Sequence, residues 1–224
     1  MNEPFLRITE IFHSIQGEST WAGLPCTFVR LTGCPLRCVW CDTAYAFHGG
    51  ERWTLEKILE EVRGIGCSLV ELTGGEPLAH RNAYLLAERL VEEGFTVLVE
   101  TSGSEDVSPL PEEVHVIMDL KCPGSGESAR NRWENLDALD GRDEIKFVLA
   151  DRVDYEWMRS VIQERGLDRR VAEGSLRALL ASPIWGMEPH LLEEFAQWIL
   201  EDHLPVRFQV QLHKVIWGPA RQGV

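Results

Sequence analysis

Short apolar, β-branched runs recur along the chain at Cys26–Thr32, Ser68–Thr73, Thr96–Thr101, Val114–Leu120, Glu144–Leu149, Arg177–Ala181 and Val206–Leu212, each of strand length. Helix-period segments lie between several of them, at Thr54–Arg63, Arg81–Glu93, Arg152–Arg165 and His190–Asp202. Thr54 has N-cap chemistry, and Gly94 and Gly166 follow their helices where a C′ glycine belongs. Strands alternating with helices of this length predict right-handed βαβ units and a mainly parallel sheet. Two places break the alternation. Ile8–His13 reads as an extra strand pairing with Cys26–Thr32, with Gln16–Pro25 as a glycine-containing loop between them. Pro109–Pro111 and Pro123–Asp143 are too polar for core elements, which predicts loops with short helical turns and less helix than a full barrel carries.

The polar and unusual residues gather where these strands end. Thr32-Gly33-Cys34 follows the first run, Thr73-Gly74-Gly75-Glu76-Pro77 the second and Glu100-Thr101-Ser102-Gly103 the third. Asp119-Leu120-Lys121, Ser182-Pro183 and Gln211-Leu212-His213-Lys214 end later ones. In a parallel α/β sheet or barrel, ligands sit beyond the carboxyl ends of the strands, so one chemical face is expected there.

At 224 residues and 44% hydrophobic content, the chain suits one sizeable core and a single domain. Its 36 acidic and 22 basic residues give a formal net charge of −14, which argues against partners such as nucleic acid or anionic lipid. Met1 to Glu10 lacks a secretory apolar core and no apolar run approaches a membrane span, so a cytoplasmic protein is expected, with no membrane partner. In a reducing compartment, closely spaced cysteines bind metal or do chemistry more often than they form disulfides. Three of the six cysteines, Cys34, Cys38 and Cys41, crowd into eight residues. Cys26, Cys67 and Cys122 are scattered and read as small apolar side chains with inert thiols.

Three thiolates on one compact loop can share one metal centre. A [4Fe–4S] cube takes one ligand per iron, so three cysteines leave one iron open, where a substrate or cofactor can coordinate. Structural zinc, with a fourth ligand from His48, Cys67 or another distant residue, stays open as an alternative on spacing alone.

The run Cys34-Pro35-Leu36-Arg37-Cys38-Val39-Trp40-Cys41 resembles the C-x3-C-x-aromatic-C motif of the radical S-adenosylmethionine (SAM) superfamily, with Trp40 at the aromatic position. Gly74-Gly75-Glu76-Pro77 is similar to that superfamily's glycine-rich turn, which receives the amino group of SAM's methionine part. Ser14-Ile15-Gln16-Gly17-Glu18 resembles the S-x-Q-G-E segment of the 7-carboxy-7-deazaguanine synthases, the QueE family. Phe28–Leu31, Cys41-Asp42-Thr43, Glu100–Gly103, Asp119–Pro123 and Gln211–Lys214 point the same way. The family's usual glycine after the Q-G-E glutamate is Ser19 here, and residues 123–143 match no family feature.

The resemblance implies a partial parallel β/α barrel of the radical SAM type with reduced helix content. It spans residues 1–224 as one domain: a substrate-loop extension at 1–25, a barrel core at 26–212 and a tail at 213–224. The implied activity converts 6-carboxy-5,6,7,8-tetrahydropterin to 7-carboxy-7-deazaguanine and ammonia, through a 5′-deoxyadenosyl radical that is returned to SAM after ring contraction. Implied cofactors are a [4Fe–4S] cluster on Cys34, Cys38 and Cys41, SAM, and Mg2+ at Thr43. Trp40, Asp42, Gly75, Glu76, Ser102, Asp119 and Lys121 are the expected SAM contacts. Ile15, Gln16, Gly17, Glu18, Arg30 and Thr73 are the expected substrate contacts: an amide at Gln16 matches the pterin's mixed donor and acceptor edge, and the planar fork of Arg30 suits a carboxylate. His213 receives no catalytic role, and the sequence leaves open whether Trp217 to Val224 closes the face. A flavodoxin or ferredoxin as reductant and a homodimer are family expectations. Another small radical SAM enzyme, such as a glycyl-radical-enzyme activase, and a zinc-stabilised binding module without catalysis are the competing readings.

Overall fold

The computed structural model describes residues 3–224. The strands are β1 (Phe5–Ile15), β2 (Pro25–Leu31), β3 (Glu51–Thr54), β4 (Leu69–Gly74), β5 (Thr96–Thr101), β6 (His115–Asp119), β7 (Glu144–Leu149), β8 (Ala178–Pro183) and β9 (Val206–Phe208). Among the described residues they form one sheet in the order β3-β1-β2-β4-β5-β6-β7-β8-β9. From β2 onward every pairing is parallel, whereas β1 runs antiparallel to both β2 and β3. The edge strands do not meet, so the sheet is an open, partial barrel.

The helices are α1 (Leu55–Ile65), α2 (Arg81–Glu92), α3 (Asn135–Ala138), α4 (Arg152–Glu164), α5 (Leu167–Ala172), α6 (Pro189–Glu201) and α7 (Leu212–Trp217). None is long and apolar enough to cross a membrane. Capping explains where they begin. Thr54 accepts from Lys57 N at 3.2 Å, Asp151 accepts from Asp154 N at 3.0 Å, and Gly66 closes α1 at φ +76. Such an N-cap contributes about 1 kcal/mol. The connection between β5 and β6 carries no helix, and that between β6 and β7 carries only short turns and α3, which is the reduced helix content expected.

Three expectations need correcting. β1 is longer than Ile8–His13, because its first residues, Phe5 to Ile8, pair with β3, a polar Glu-Arg-Trp-Thr strand with no apolar run to betray it. β9 stops at Phe208 rather than Leu212, since Leu212 opens α7. The α5 turn went unread for lack of length.

Parallel register decides what each face of the sheet presents. One face, including Val29, Leu31, Val70, Leu72, Val97, Val99 and Phe147, packs beneath the helices in the main core. The other is apolar only at its lower level, where Cys26, Phe28, Leu69, Leu98, Ile117, Ala178 and Leu180 form a separate plug with Phe12, Trp21 and Cys67 against it. Two residues further along each strand the same face turns polar, with Arg30, Glu71, Glu100, Asp119 and Lys146. A sealed floor beneath a charged layer makes a cavity that opens at the carboxyl ends of the strands.

Candidate active site

That cavity encloses about 480 Å³ and is lined from nearly every strand end. Of the residues singled out in the sequence, Ile15, Gln16, Gly17, Glu18, Arg30, Cys34, Cys38, Trp40, Cys41, Asp42, Thr43, Thr73, Gly75, Ser102, Asp119 and Lys121 all border it.

Glu76 does not. It is fully buried, and its carboxylate accepts from Leu78 N, Thr101 Oγ1, Ser102 N and Ser102 Oγ at 2.5–2.9 Å. Its side chain ties the glycine turn after β4 to the end of β5. Burial raises its pKa, against which these four donors act.

The cysteines lie on the loop after β2. Gly75 N donates to Leu31 O and Glu76 N donates to Gly33 O, at 3.3 and 2.8 Å, which docks the loop on the glycine turn. A Cβ on Gly75 would lie 2.1 Å from Gly33 O and 2.8 Å from the Cβ of Cys34, so only glycine permits this approach. From the other side, Val39 N donates to Ser125 O and Arg37 N to Glu127 Oε1. The polar stretch 123–143 thus has a local task in cradling the cysteine loop. Burial raises the Cys34 thiol and pushes Cys38 up to about 11, so both carry protons until a metal displaces them.

Among the described residues, no three His, Cys, Asp or Glu side chains converge on one ion-sized point. A tetrahedral zinc would gather its sulfurs to roughly 3.8 Å from one another, given Zn–S bonds of about 2.3 Å. Cys34, Cys38 and Cys41 all line the cavity. Cys67 cannot supply a fourth ligand, because it precedes β4 at the opposite end of the strands. Cys26 and Cys122 are buried, and Cys67 is partly exposed.

Beside the loop, Asp119 Oδ2 pairs with Lys121 Nζ at 2.8 Å, while Asp119 Oδ1 is buried without a hydrogen-bond partner. An orphaned acceptor in a polar cavity calls for a hydroxyl or ammonium donor from a ligand. Asp42 pairs with Lys214 and accepts from Gln211 at 3.3 Å. Burial would raise Asp42, but Lys214 outweighs it and brings the carboxyl to about 2. Thr43 Oγ1 donates to Asp42 Oδ1 at 3.3 Å.

The Ile15–Glu18 loop forms the adjoining wall. Gln16 is only 4% exposed and its amide is already engaged, with Nε2 donating to Glu71 and Oε1 accepting from Glu18 N at 3.0 Å. Its backbone bonds to Leu24 O and Gly23 N. In this arrangement the Gln16 amide holds the loop against Glu71 and the Glu18 backbone, while Gln16 still borders the cavity. Glu18 accepts from Lys146 at 2.7 Å and Gln211 at 2.8 Å. Burial would raise Glu18, but Lys146, His213 and Gln211 bring it to about 2. Arg30 meets Glu10 through Nε at 2.7 Å, leaving its terminal nitrogens without another partner among the described residues.

Glu71 and Lys146 are cavity residues that the sequence reading did not single out, whereas Gln211 and Lys214 stood in a marked run without an assigned role. The signal for the first two was available, since a charge two residues before Thr73 and another inside the apolar Glu144–Leu149 run fall on the face shared by Arg30 and Asp119. His213 packs on Gly17, whose Cβ would meet His213 Nδ1 at 2.1 Å, and Leu212 N donates to Gly17 O at 2.9 Å. The C-terminal segment thereby spans the gap in the barrel, and Pro219 and Val224 border the cavity.

Residues 28–126 match the radical SAM superfamily. The chain is 46% identical to the 7-carboxy-7-deazaguanine synthase of Koribacter versatilis, over 98% of this chain and 100% of that protein. It is 42% identical to the Chlorobaculum tepidum synthase, over 98% and 97%, and 35% identical to that of Thermoplasma acidophilum, over 94% and 97%. The crystal structure of QueE from Escherichia coli shares the fold at a TM-score of 0.71 and 23% identity, covering 93% of this chain and 95% of that one. Streptococcus suis SuiB bound to its precursor peptide SuiA shares it more distantly, at a TM-score of 0.54 and 14% identity over 83% and 48%.

Proposed function

The chain belongs to the 7-carboxy-7-deazaguanine synthases of the radical SAM superfamily, and from that premise we propose how its cavity serves the reaction. The reaction converts 6-carboxy-5,6,7,8-tetrahydropterin to 7-carboxy-7-deazaguanine and ammonia. The observation that carries the assignment of parts is that one cavity joins the three-cysteine loop to the Ile15–Glu18 loop.

Cys34, Cys38 and Cys41 would hold the [4Fe–4S] cluster. When bound, cluster and SAM supply one-electron reductive cleavage and hydrogen abstraction. The protein orients and shields. Gly75 lets backbone carbonyls approach the methionyl ammonium, and Asp119 Oδ1 accepts from a SAM donor. Trp40, Asp42, Ser102 and Lys121 complete that wall, with Glu76 holding Ser102 from behind.

Toward the pterin, the terminal nitrogens of Arg30 offer two parallel donors to the substrate carboxylate. Glu18 accepts from ring N–H groups, while Ile15, Gly17 and Thr73 give shape and backbone contacts. The His213 and Gln211 segment excludes water on the side where the sheet stays open. Thr43 would hold Mg2+ through its hydroxyl, which alone makes a poor magnesium site, so substrate and water oxygens would be needed to complete it. Reduced thiols for the cluster call for the cytoplasm. A flavodoxin or ferredoxin as electron donor and a homodimer complete the reading.

The test incubates anaerobically reconstituted protein with SAM, reductant, Mg2+ and 6-carboxytetrahydropterin. A deazapurine product without net SAM loss is expected. Irreversible SAM cleavage with no deazapurine would refute the substrate, and a protein that takes up zinc alone would refute the cluster.

A further inference from the structure

Lys146 is the one cation within the Glu144–Leu149 strand and lies 5% exposed in the charged layer of the cavity. Its ammonium touches Glu18 at 2.7 Å on the substrate loop and bonds Glu100 on β5, with Asp119 of β6 at 4.0 Å. These carboxylates come from separate elements; Gln211 also donates to Glu18 and Lys121 pairs with Asp119, but Lys146 is the cation that meets all three. We propose that Lys146 is the positioning cation of the substrate loop, keeping Glu18 and Glu100 aimed into the cavity as paired acceptors for the N–H edge of the pterin. This rests on the cavity taking the pterin, as assigned above.

A substrate rich in N–H donors needs acceptors, and a carboxyl that gains a proton becomes a donor at one oxygen. Without Lys146, Glu18 would face Glu100, Glu71 and Asp119 from the strands, with His213 and Lys214 on α7, Asp42 on the cysteine loop, and Arg30 and Lys121 as the other nearby charges. Crowded like charges release their repulsion by taking up a proton. The loop would then present the wrong hydrogen-bond pattern.

The experiment uses cluster-loaded, SAM-bound protein without reductant. Calorimetry gives the Kd for 6-carboxytetrahydropterin across pH, and 13C NMR of glutamate-labelled protein follows the Glu18 carboxyl, assigned by difference from Glu18→Gln. In Lys146→Met the Kd should rise about ten- to hundredfold and Glu18 should titrate well above its wild-type range. Lys146→Arg should restore both to within about threefold of wild type. Adding Lys146→Met to Glu18→Gln should cost little further affinity, because both changes remove one shared interaction. An unchanged Kd and Glu18 signal in folded Lys146→Met, or fully additive losses in the double variant, would overturn the proposal. Should Lys146→Met not fold, Lys146→Gln decides: a Kd raised about tenfold or more with Glu18 titrating higher supports the proposal, and wild-type values for both overturn it. Absence of pterin binding to the wild-type protein would sink the substrate reading separately, with the Glu18 titration still judging Lys146.

Discussion

Gln16 Nε2 donates to Glu71 Oε2 between residues 55 positions apart, and the same amide accepts from Glu18 N through Oε1. The pair pins the substrate loop to the floor of the sheet. Gln16→Ala removes both bonds and leaves Glu71 buried without its donor, a cost of about 1–3 kcal/mol. The KM for the pterin should rise roughly tenfold or more while iron content per chain is unchanged. Lost iron would show that the loop supports the cluster as well.

Glu71 is 2% exposed, and burial raises its pKa well above the ordinary 4.5, with Glu100 and Glu18 adding to the effect. Because the folded value exceeds the unfolded one, the stability that Glu71 contributes is complete below pH 4.5 and is lost as pH rises toward the folded value. Glu71→Gln keeps an acceptor for Gln16 and removes the proton linkage. Thermal unfolding should show the variant more stable than wild type at pH 8, by about 2–4 °C in Tm per kcal/mol regained, with the gap closing toward pH 4.5.

Two glycines hold different halves of the site by absence of a side chain. Gly75→Ala drives a Cβ into the backbone of Gly33 and the Cβ of Cys34, so SAM affinity and the iron–sulfur absorbance should fall together. Gly17→Ala meets both the ring and the backbone N of His213, the latter at 2.8 Å, and should displace the C-terminal segment. Its expected signature is weaker pterin binding with normal SAM binding. Equal losses of both ligands in the two variants would contradict this division.

The six cysteines should divide cleanly in absorbance after reconstitution. Serine at Cys34, Cys38 or Cys41 should abolish the iron–sulfur bands. Alanine at Cys26, Cys67 or Cys122 should keep them, with about 1 kcal/mol of stability lost at the buried Cys26 and Cys122. Loss of the bands in Cys67→Ala would bring back a fourth protein ligand.

Much of the fold was legible because local rules wrote it. The runs that became β2, β4, β5, β6, β7 and β8 need only apolar residues at strand length, Thr54 caps α1, and Gly94 and Gly166 follow α2 and α4 at positive φ. β3 escaped notice because a strand whose residues are exposed or only partly buried, paired on one side with β1, needs no apolar pattern. The cysteine loop was legible in the same way: spacing along a short segment limits where three sulfurs can go.

The sequence by itself determined the three-cysteine loop, the parallel sheet and the end of the strands at which the cavity would open, since each depends on residues close together in the chain. Only the tertiary structure decided which partners Gln16, Glu76 and Lys146 meet. A side chain's hydrogen-bond capacity is finite, and whether it is spent within the protein or kept for a ligand depends on partners such as Glu71, Ser102 and Glu18. Folding brings those partners together from distant segments, so the chain order of an amide or a carboxylate could name it as polar but not say whether its donors and acceptors were still free.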